Sequence, residues 1–157
     1  MKDKFIDAYM DVAERFAELS SARRLHVGAI VVKDDRIISI GYNGMPSGWD
    51  NNCEDEIGHV LDDANNIVEI RLKTKPEVLH AETNAIAKLA KSNESGMGAT
   101  MFITHAPCLD CAKLIYQSGI GSVLYRDAYR DTGGITFLEK SGVTVTQVKK
   151  GPVGPFL

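Results

Sequence analysis

Cysteine is scarce in this chain, with three among 157 residues: Cys53, Cys108 and Cys111. Two of them form a C-x-x-C and the third stands alone, which excludes a disulfide framework and leaves a metal or redox pattern. No apolar run approaches the length of a membrane span. The opening residues, Met1-Lys2-Asp3-Lys4-Phe5, lead into an amphipathic pattern and lack the form of an export signal, so a cytoplasmic setting is the expectation. Basic excess is also missing: the formal net charge is −3. Bulk charge therefore gives no support for a grip on long nucleic acid and leans toward a small substrate. Internal repeats and low-complexity tracts are absent. What is present is ordinary for one globular domain with a core, 44% hydrophobic and 25% charged.

The hydrophobic pattern predicts an α/β domain. Phe5, Ala8, Tyr9, Val12, Ala13, Phe16 and Leu19 recur at helical spacing, so 3–20 reads as an amphipathic helix. Val27–Val32 and Arg36–Tyr42 read as strands of a hairpin about Lys33-Asp34-Asp35. Downstream, Ala81–Lys91 reads as a helix, Thr100–Thr104 as a strand and Cys108–Ser118 as a helix stopped by Gly119. Val123–Tyr125, Thr132–Lys140 and Val143–Val148 complete the set as strand, helix and strand. The order α-β-β-α-β-α-β-α-β favours a mixed sheet with helices on both faces. An insert at about 43–79 interrupts the rhythm. It starts as a Gly/Pro-rich loop and continues as an acidic stretch whose Ile57, Val60, Leu61, Ile67 and Ile70 are compatible with a helix. The tail Gly151-Pro152-Val153-Gly154-Pro155 is expected to be extended.

Chemistry concentrates in His80-Ala81-Glu82 and Pro107-Cys108-Leu109-Asp110-Cys111. This H-x-E…P-C-x-x-C pattern is an established signature of base-deaminating zinc enzymes. His80 and Cys108 each open a predicted helix, where free N–H groups and the helix dipole favour a thiolate. Cys111 lies one turn after Cys108, on the same face. Three protein ligands leave a fourth position open, the catalytic pattern for zinc. Two thiolates cancel the formal charge of Zn²⁺, so a water there is acidified less than in a three-histidine site and needs a base beside it. Glu82 is that candidate. In the mechanism these residues suggest, an activated water attacks C4 of cytosine. Glu82 takes its proton, passes it to N3 and helps protonate the leaving ammonia, a role typically worth about 10²–10⁴ in rate. A C-x-x-C alone fits a redox pair or half a zinc finger. A redox pair needs no H-x-E, and His26 and His59 lie poorly for a second finger pair.

His80-Ala81-Glu82-Thr83-Asn84-Ala85-Ile86 and Ala106-Pro107-Cys108-Leu109-Asp110-Cys111-Ala112-Lys113 resemble the deoxycytidylate (dCMP) deaminase family. So do Gly41-Tyr42-Asn43-Gly44-Met45-Pro46-Ser47-Gly48 and Arg24 upstream of Val27-Gly28-Ala29. The likeness runs from about Ala8 to Val148. The zinc motifs are shared by all cytidine-deaminase-like enzymes, and the G-Y-N-G-x-P-x-G loop narrows the choice to dCMP.

The resemblance implies a cytidine-deaminase-like three-layer α/β/α sandwich around a mixed five-stranded sheet. It implies zinc-dependent hydrolysis of dCMP to dUMP and ammonia, a step toward thymidylate, and a homo-oligomer, commonly a hexamer. It further implies activation by dCTP with Mg²⁺ and inhibition by dTTP. By the same resemblance Asn43 and Ala81 meet the substrate, Arg23 or Arg24 holds its 5′-phosphate, and Tyr129 stands at the rim. Tyr42, Gly44, Met45, Pro46 and Gly48 belong to the allosteric nucleotide loop. Plainer roles stay open beside these. Gly41, Gly44 and Gly48 can serve a tight turn leaving a strand, the arginines can be solvated charges, and Tyr129 can be packing. His105 reads as a pocket or supporting residue, and Cys53 as a buried thiol. The rival activities are deamination of tRNA adenosine or of free cytosine or cytidine. A rival of another class is a nucleotide-binding module that keeps zinc for structure, against which the intact Glu82 argues.

Overall fold

The computed structural model describes residues 1–151; the expected extended tail from Pro152 onward lies outside the described residues. The elements are α1 (Asp3–Ala17), β1 (Gly28–Lys33), β2 (Arg36–Tyr42), β3 (Glu54–Leu61), β4 (Ile67–Thr74) and α2 (Ala81–Ala90). They continue with β5 (Thr100–His105), α3 (Leu109–Gln117), β6 (Ser122–Asp127), α4 (Gly133–Lys140) and β7 (Thr144–Gln147). Five strands form one mixed sheet in the order β2-β1-β5-β6-β7. The β1–β2 and β1–β5 pairs are antiparallel, and β5–β6 and β6–β7 are parallel. The expected α/β/α layering is present. Met10 and Ala13 of α1 cover Ile30, Val32 and Phe102 on one face. Ala85 and Leu89 of α2, Ala112 and Ile115 of α3 and Leu138 of α4 cover Val31, Met101, Ile103 and Val123 on the other. The central strand β5 carries a nearly continuous apolar run because both its faces are covered. Among the described residues no helix is long and apolar enough to cross a membrane.

Local chemistry explains the turns. Asp34 and Asp35 both adopt positive φ, 50° and 57°, in the two-residue connection of β1 to β2. That is the primed turn whose twist matches a hairpin. Gly119 takes φ 82° just past α3 and stops it.

The insert corrects one expectation. Ile57, Val60, Leu61, Ile67 and Ile70 lie on an antiparallel two-stranded ribbon, β3–β4, and not on a helix. Asp62 is the reason at the tip: its Oδ1 accepts the N–H groups of Ala64 and Asn66, both at 2.9 Å, closing a turn that a helix cannot contain. The apolar spacing misleads because it reflects no core. Ile57, Leu61, Ile67, Val68 and Ile70 are all exposed, so no buried face set their period.

The sheet places its chemistry at one edge. Because β1 runs antiparallel to β5, the start of β1, the end of β2 and the ends of β5 and β6 meet there. This is the edge beyond the carboxyl ends of the parallel strands, where open α/β sheets bind ligands.

Candidate active site

Two close backbone approaches set the ligand geometry. Gly41 lies within β2, so it serves no turn. A Cβ there would stand 2.2 Å from the Ala81 carbonyl oxygen and 2.7 Å from the Ala85 nitrogen. The missing side chain lets the first turn of α2 sit directly on the strand. Gly134 does the same for the second ligand loop, where a Cβ would stand 2.0 Å from the Pro107 carbonyl oxygen and 2.9 Å from the Cys108 carbonyl carbon. His80 and Cys108 occupy the positions immediately before α2 and α3 in extended conformation, which aims both at the same point in front of the two helix starts.

His80 Nδ1 lies 3.6 Å from Cys108 Sγ and 3.3 Å from Cys111 Sγ, and the three candidate ligand atoms are all within 4.8 Å of one another. Tetrahedral zinc with its usual bond lengths sets nitrogen and sulfur about 3.5 Å apart and two sulfurs about 3.8 Å apart. The donor set and its spacing therefore fit Zn²⁺. The Cys108 thiol is held well below its ordinary value, first by the Cys111 thiol that hydrogen-bonds to it and then by His80. Its partner Cys111 is pushed up by the same contact and by burial. His80 is raised, chiefly by its contact with Cys108. Ionisation at Cys108 is thus already favoured by the fold.

Glu82 sits in the first turn of α2, 4% exposed. Burial pushes its carboxyl from 4.5 up to about 7, the range in which one group can both take and give a proton near neutrality.

His80, Glu82 and Cys108 line a cavity of about 300 Å³. Its walls include Arg24, Asn43, Ala81 and Tyr129, four of the five residues expected at the substrate. Asn43 is 8% exposed. It bridges the segment ahead of β1, accepting the Val27 N–H at 2.9 Å and donating to the Leu25 carbonyl at 2.8 Å. That leaves one amide hydrogen and one oxygen lone pair for a ligand. Arg23 is not on the cavity wall. Its guanidinium faces Glu54 at 3.5 Å and Glu56 at 3.3 Å. Arg24 instead lines the cavity and donates to Thr74 Oγ1 at 3.2 Å. His105 also lines it, as a supporting position. Its Nδ1 meets the Thr104 hydroxyl at 2.9 Å, and burial holds its pKa low.

Tyr42, Gly44, Met45, Pro46 and Gly48 are not among the cavity walls. Gly44 pairs with Leu79, the residue before His80, through hydrogen bonds of 3.1 and 2.8 Å. The Tyr42 carbonyl accepts from Asn84 at 2.8 Å, and Gly48 takes φ 85° at the exposed tip. Cys53 is buried, as expected, with a raised pKa from burial.

The cavity also contains residues that local sequence patterns did not single out: Glu54, Thr74, Val78 and Arg130. Arg130 had a signal in its adjacency to Tyr129. Glu54 and Thr74 had none, since only the fold of the insert brings them back to Arg24.

Residues 3–126 match the cytidine and deoxycytidylate deaminase zinc-binding region. The chain is 39% identical to human deoxycytidylate deaminase over 82% of its own length and 68% of that protein. It is 33% identical to the deoxycytidylate deaminase of enterobacteria phage T4, over 90% and 88% respectively. ComE operon protein 2 of Bacillus subtilis (strain 168) is 37% identical over 90% of this chain and 69% of its own. Among solved structures, the dCMP deaminase of cyanophage S-TIM5 in complex with dCMP and dUMP superimposes with a TM-score of 0.82 at 44% identity. It covers 94% of this chain and 99% of that one.

Proposed function

The chain belongs to the cytidine and deoxycytidylate deaminase family, and from that premise we propose that it hydrolyses dCMP to dUMP and ammonia, supplying dUMP for thymidylate synthesis. One observation carries the reading. Two members of a His/Cys/Cys triangle, His80 and Cys108, line one cavity together with the buried Glu82 carboxyl and Arg24, an arginine free of any ion pair among the described residues. A cytosine ring and a 5′-phosphate need those two chemistries in one cavity.

His80, Cys108 and Cys111 would hold zinc, which when bound supplies a Lewis acid that acidifies water. The protein's own groups do the rest. Glu82 takes one proton from the attacking water and delivers it to N3 of the base; it then takes the second proton from the new C4 hydroxyl and gives it to the amine, which leaves as ammonia while the C4 carbonyl forms. Burial raises the Glu82 carboxyl above the usual carboxylate range, which suits it to give a proton back after taking one. Ala81, Asn43 and Tyr129 all stand on the cavity wall, where they would meet the base and sugar. Arg24 takes the 5′-phosphate, because guanidinium geometry matches phosphate oxygens. Arg23 is withdrawn from that role by its two carboxylate neighbours.

Ammonia release from dCMP, CMP, deoxycytidine, free cytosine and an RNA stem-loop tests the substrate. Turnover of dCMP above the others is expected. Turnover of another member of the panel with none on dCMP would replace this reading by a related deaminase, of tRNA adenosine or of free cytosine or cytidine.

The same reading includes regulation by dCTP with Mg²⁺ as activator and dTTP as inhibitor, at the loop bearing Tyr42, Gly44, Met45, Pro46 and Gly48. The loop supports it by lying outside the cavity with an exposed tip, while its Gly44 grips the residue before His80. Assembly as a homo-oligomer, a hexamer in this family, is supported by the exposed aliphatic side chains of β3–β4, since a lone two-stranded ribbon is marginal in water. The same reading includes a cytoplasmic setting. Initial rates in dCMP with and without each triphosphate, together with mass by light scattering, check both features. Identical hyperbolic curves remove the regulation, and a monomer mass removes the assembly.

A further inference from the structure

Arg23 and Arg24 are neighbours in sequence and opposites in environment, and the inserted hairpin makes them so. Glu54 is the first residue of β3 and Thr74 the last of β4, and the two face each other as the first rung of the ribbon. Glu54 is 1% exposed. A carboxylate that deep needs donors around it. Its Oε1 accepts the main-chain N–H of Arg23 at 2.9 Å and of Arg24 at 3.2 Å. Its Oε2 makes no hydrogen bond among the described residues and has Arg23 Nε at 3.5 Å. Arg23 then wraps the rung, reaching the Glu54 carbonyl at 3.2 Å, Asn52 at 3.3 Å and Glu56 at 3.3 Å. Its charge is consumed in balancing Glu54 and Glu56.

Arg24 is held differently. Its peptide is pinned by Glu54 Oε1, and its guanidinium donates to Thr74 Oγ1 at 3.2 Å. A hydroxyl orients a guanidinium without cancelling its charge. One rung of the hairpin therefore fixes Arg24 at both its main-chain and side-chain ends while leaving the cation available to the cavity.

We infer that the Glu54–Thr74 rung is a clamp that positions Arg24 for the 5′-phosphate, so that the inserted hairpin sets the preference for a nucleoside monophosphate over the bare nucleoside. The inference rests on the reading of Arg24 as the phosphate group. Glu54 and Thr74 are positioning residues; neither is asked to touch the reacting atoms.

The test measures kcat and KM of zinc-loaded Glu54→Gln, Thr74→Val, Arg24→Ala and the Glu54→Gln/Arg24→Ala pair, on dCMP and on deoxycytidine. Glu54→Gln is expected to raise KM for dCMP about tenfold, the scale of one misaligned charge-assisted hydrogen bond. Its kcat should move by less than about twofold, since lost ground-state binding appears in KM. Thr74→Val, isosteric and half-buried, should raise KM about threefold, the scale of one neutral hydrogen bond. Values for deoxycytidine should stay put, and Glu54→Gln should add nothing once Arg24 is alanine. If Arg24→Ala raises KM for dCMP but Glu54→Gln and Thr74→Val do not, the clamp is refuted and the phosphate role stands. If Arg24→Ala leaves KM unchanged, the phosphate role fails and takes the clamp with it. An equal loss on deoxycytidine would mark Glu54 as merely structural and overturn the proposal. Should Glu54→Gln lose zinc or melt early, Thr74→Val decides alone: an unchanged KM for dCMP refutes the clamp.

Discussion

Replacing Glu82 by glutamine separates its chemical role from its place in the fold. The substitution keeps the shape and removes the ionisable group. Deamination should fall by about 10²–10⁴, the usual worth of a positioned proton carrier, while zinc content stays that of the parent. The metal-free proteins give a second, independent readout. Burial lifts the Glu82 carboxyl from 4.5 to about 7, so the folded chain binds this proton more tightly than the unfolded chain does. Such a group leaves stability untouched below pH 4.5. It lowers stability progressively as pH rises from there through 7, because the folded state must then bury a charge. The full gap corresponds to about 3 kcal/mol. Glutamine lacks this titration. Urea unfolding of chelated parent and chelated variant, run from pH 5 to pH 8, should show the variant gaining on the parent toward that limit. A stability difference independent of pH would refute the buried, raised carboxyl. Loss of zinc would make Glu82 a ligand, and retained turnover would end its role as proton carrier.

Three further outcomes follow from the same geometry. Cys111→Ser replaces a buried sulfur donor by a weaker ligand and should strip zinc and activity together, read by metal analysis; full zinc occupancy would contradict the ligand set. Gly41→Ala forces a methyl to within 2.2 Å of the Ala81 carbonyl. It should destabilise by about 1–3 kcal/mol and weaken zinc binding by displacing α2, so an unchanged melting temperature would contradict the close approach. Asn43→Ala leaves the Val27 N–H and the Leu25 carbonyl without their partner. It should cost about 1–3 kcal/mol in urea unfolding as well as raise KM for dCMP; a loss in neither would remove Asn43 from the site.

Much of this arrangement was readable from the chain because its signals are local. Helix starts at His80 and Cys108, the one-turn spacing of Cys111, and the alternation of single strands with helices after residue 80 each depend on neighbours in sequence, and the sheet they imply is the one found. The insert was not readable. Ile57, Val60 and Leu61 have helical spacing by coincidence, since they point to solvent or a partially covered ribbon and no core constrains them. The division of labour between Arg23 and Arg24 was equally hidden. It depends on Glu54 and Thr74, thirty and fifty residues away from Arg24, and on the ribbon that carries them. Gly41 had a local signal whose meaning needed the fold. A glycine in a strand before a loop reads as a turn element, whereas here it is the floor on which the zinc-bearing helix rests.

Hydrolysis of dCMP requires that the oxygen entering at C4 come from water deprotonated by Glu82. Reaction of the zinc-loaded protein with dCMP in ¹⁸O-enriched water, followed by mass spectrometry of the product, tests it most directly. The expected product is dUMP carrying the heavy oxygen on its pyrimidine ring, in step with released ammonia, with both falling by about 10²–10⁴ in Glu82→Gln. Failure to form dUMP from dCMP, or dUMP without the label, would contradict it.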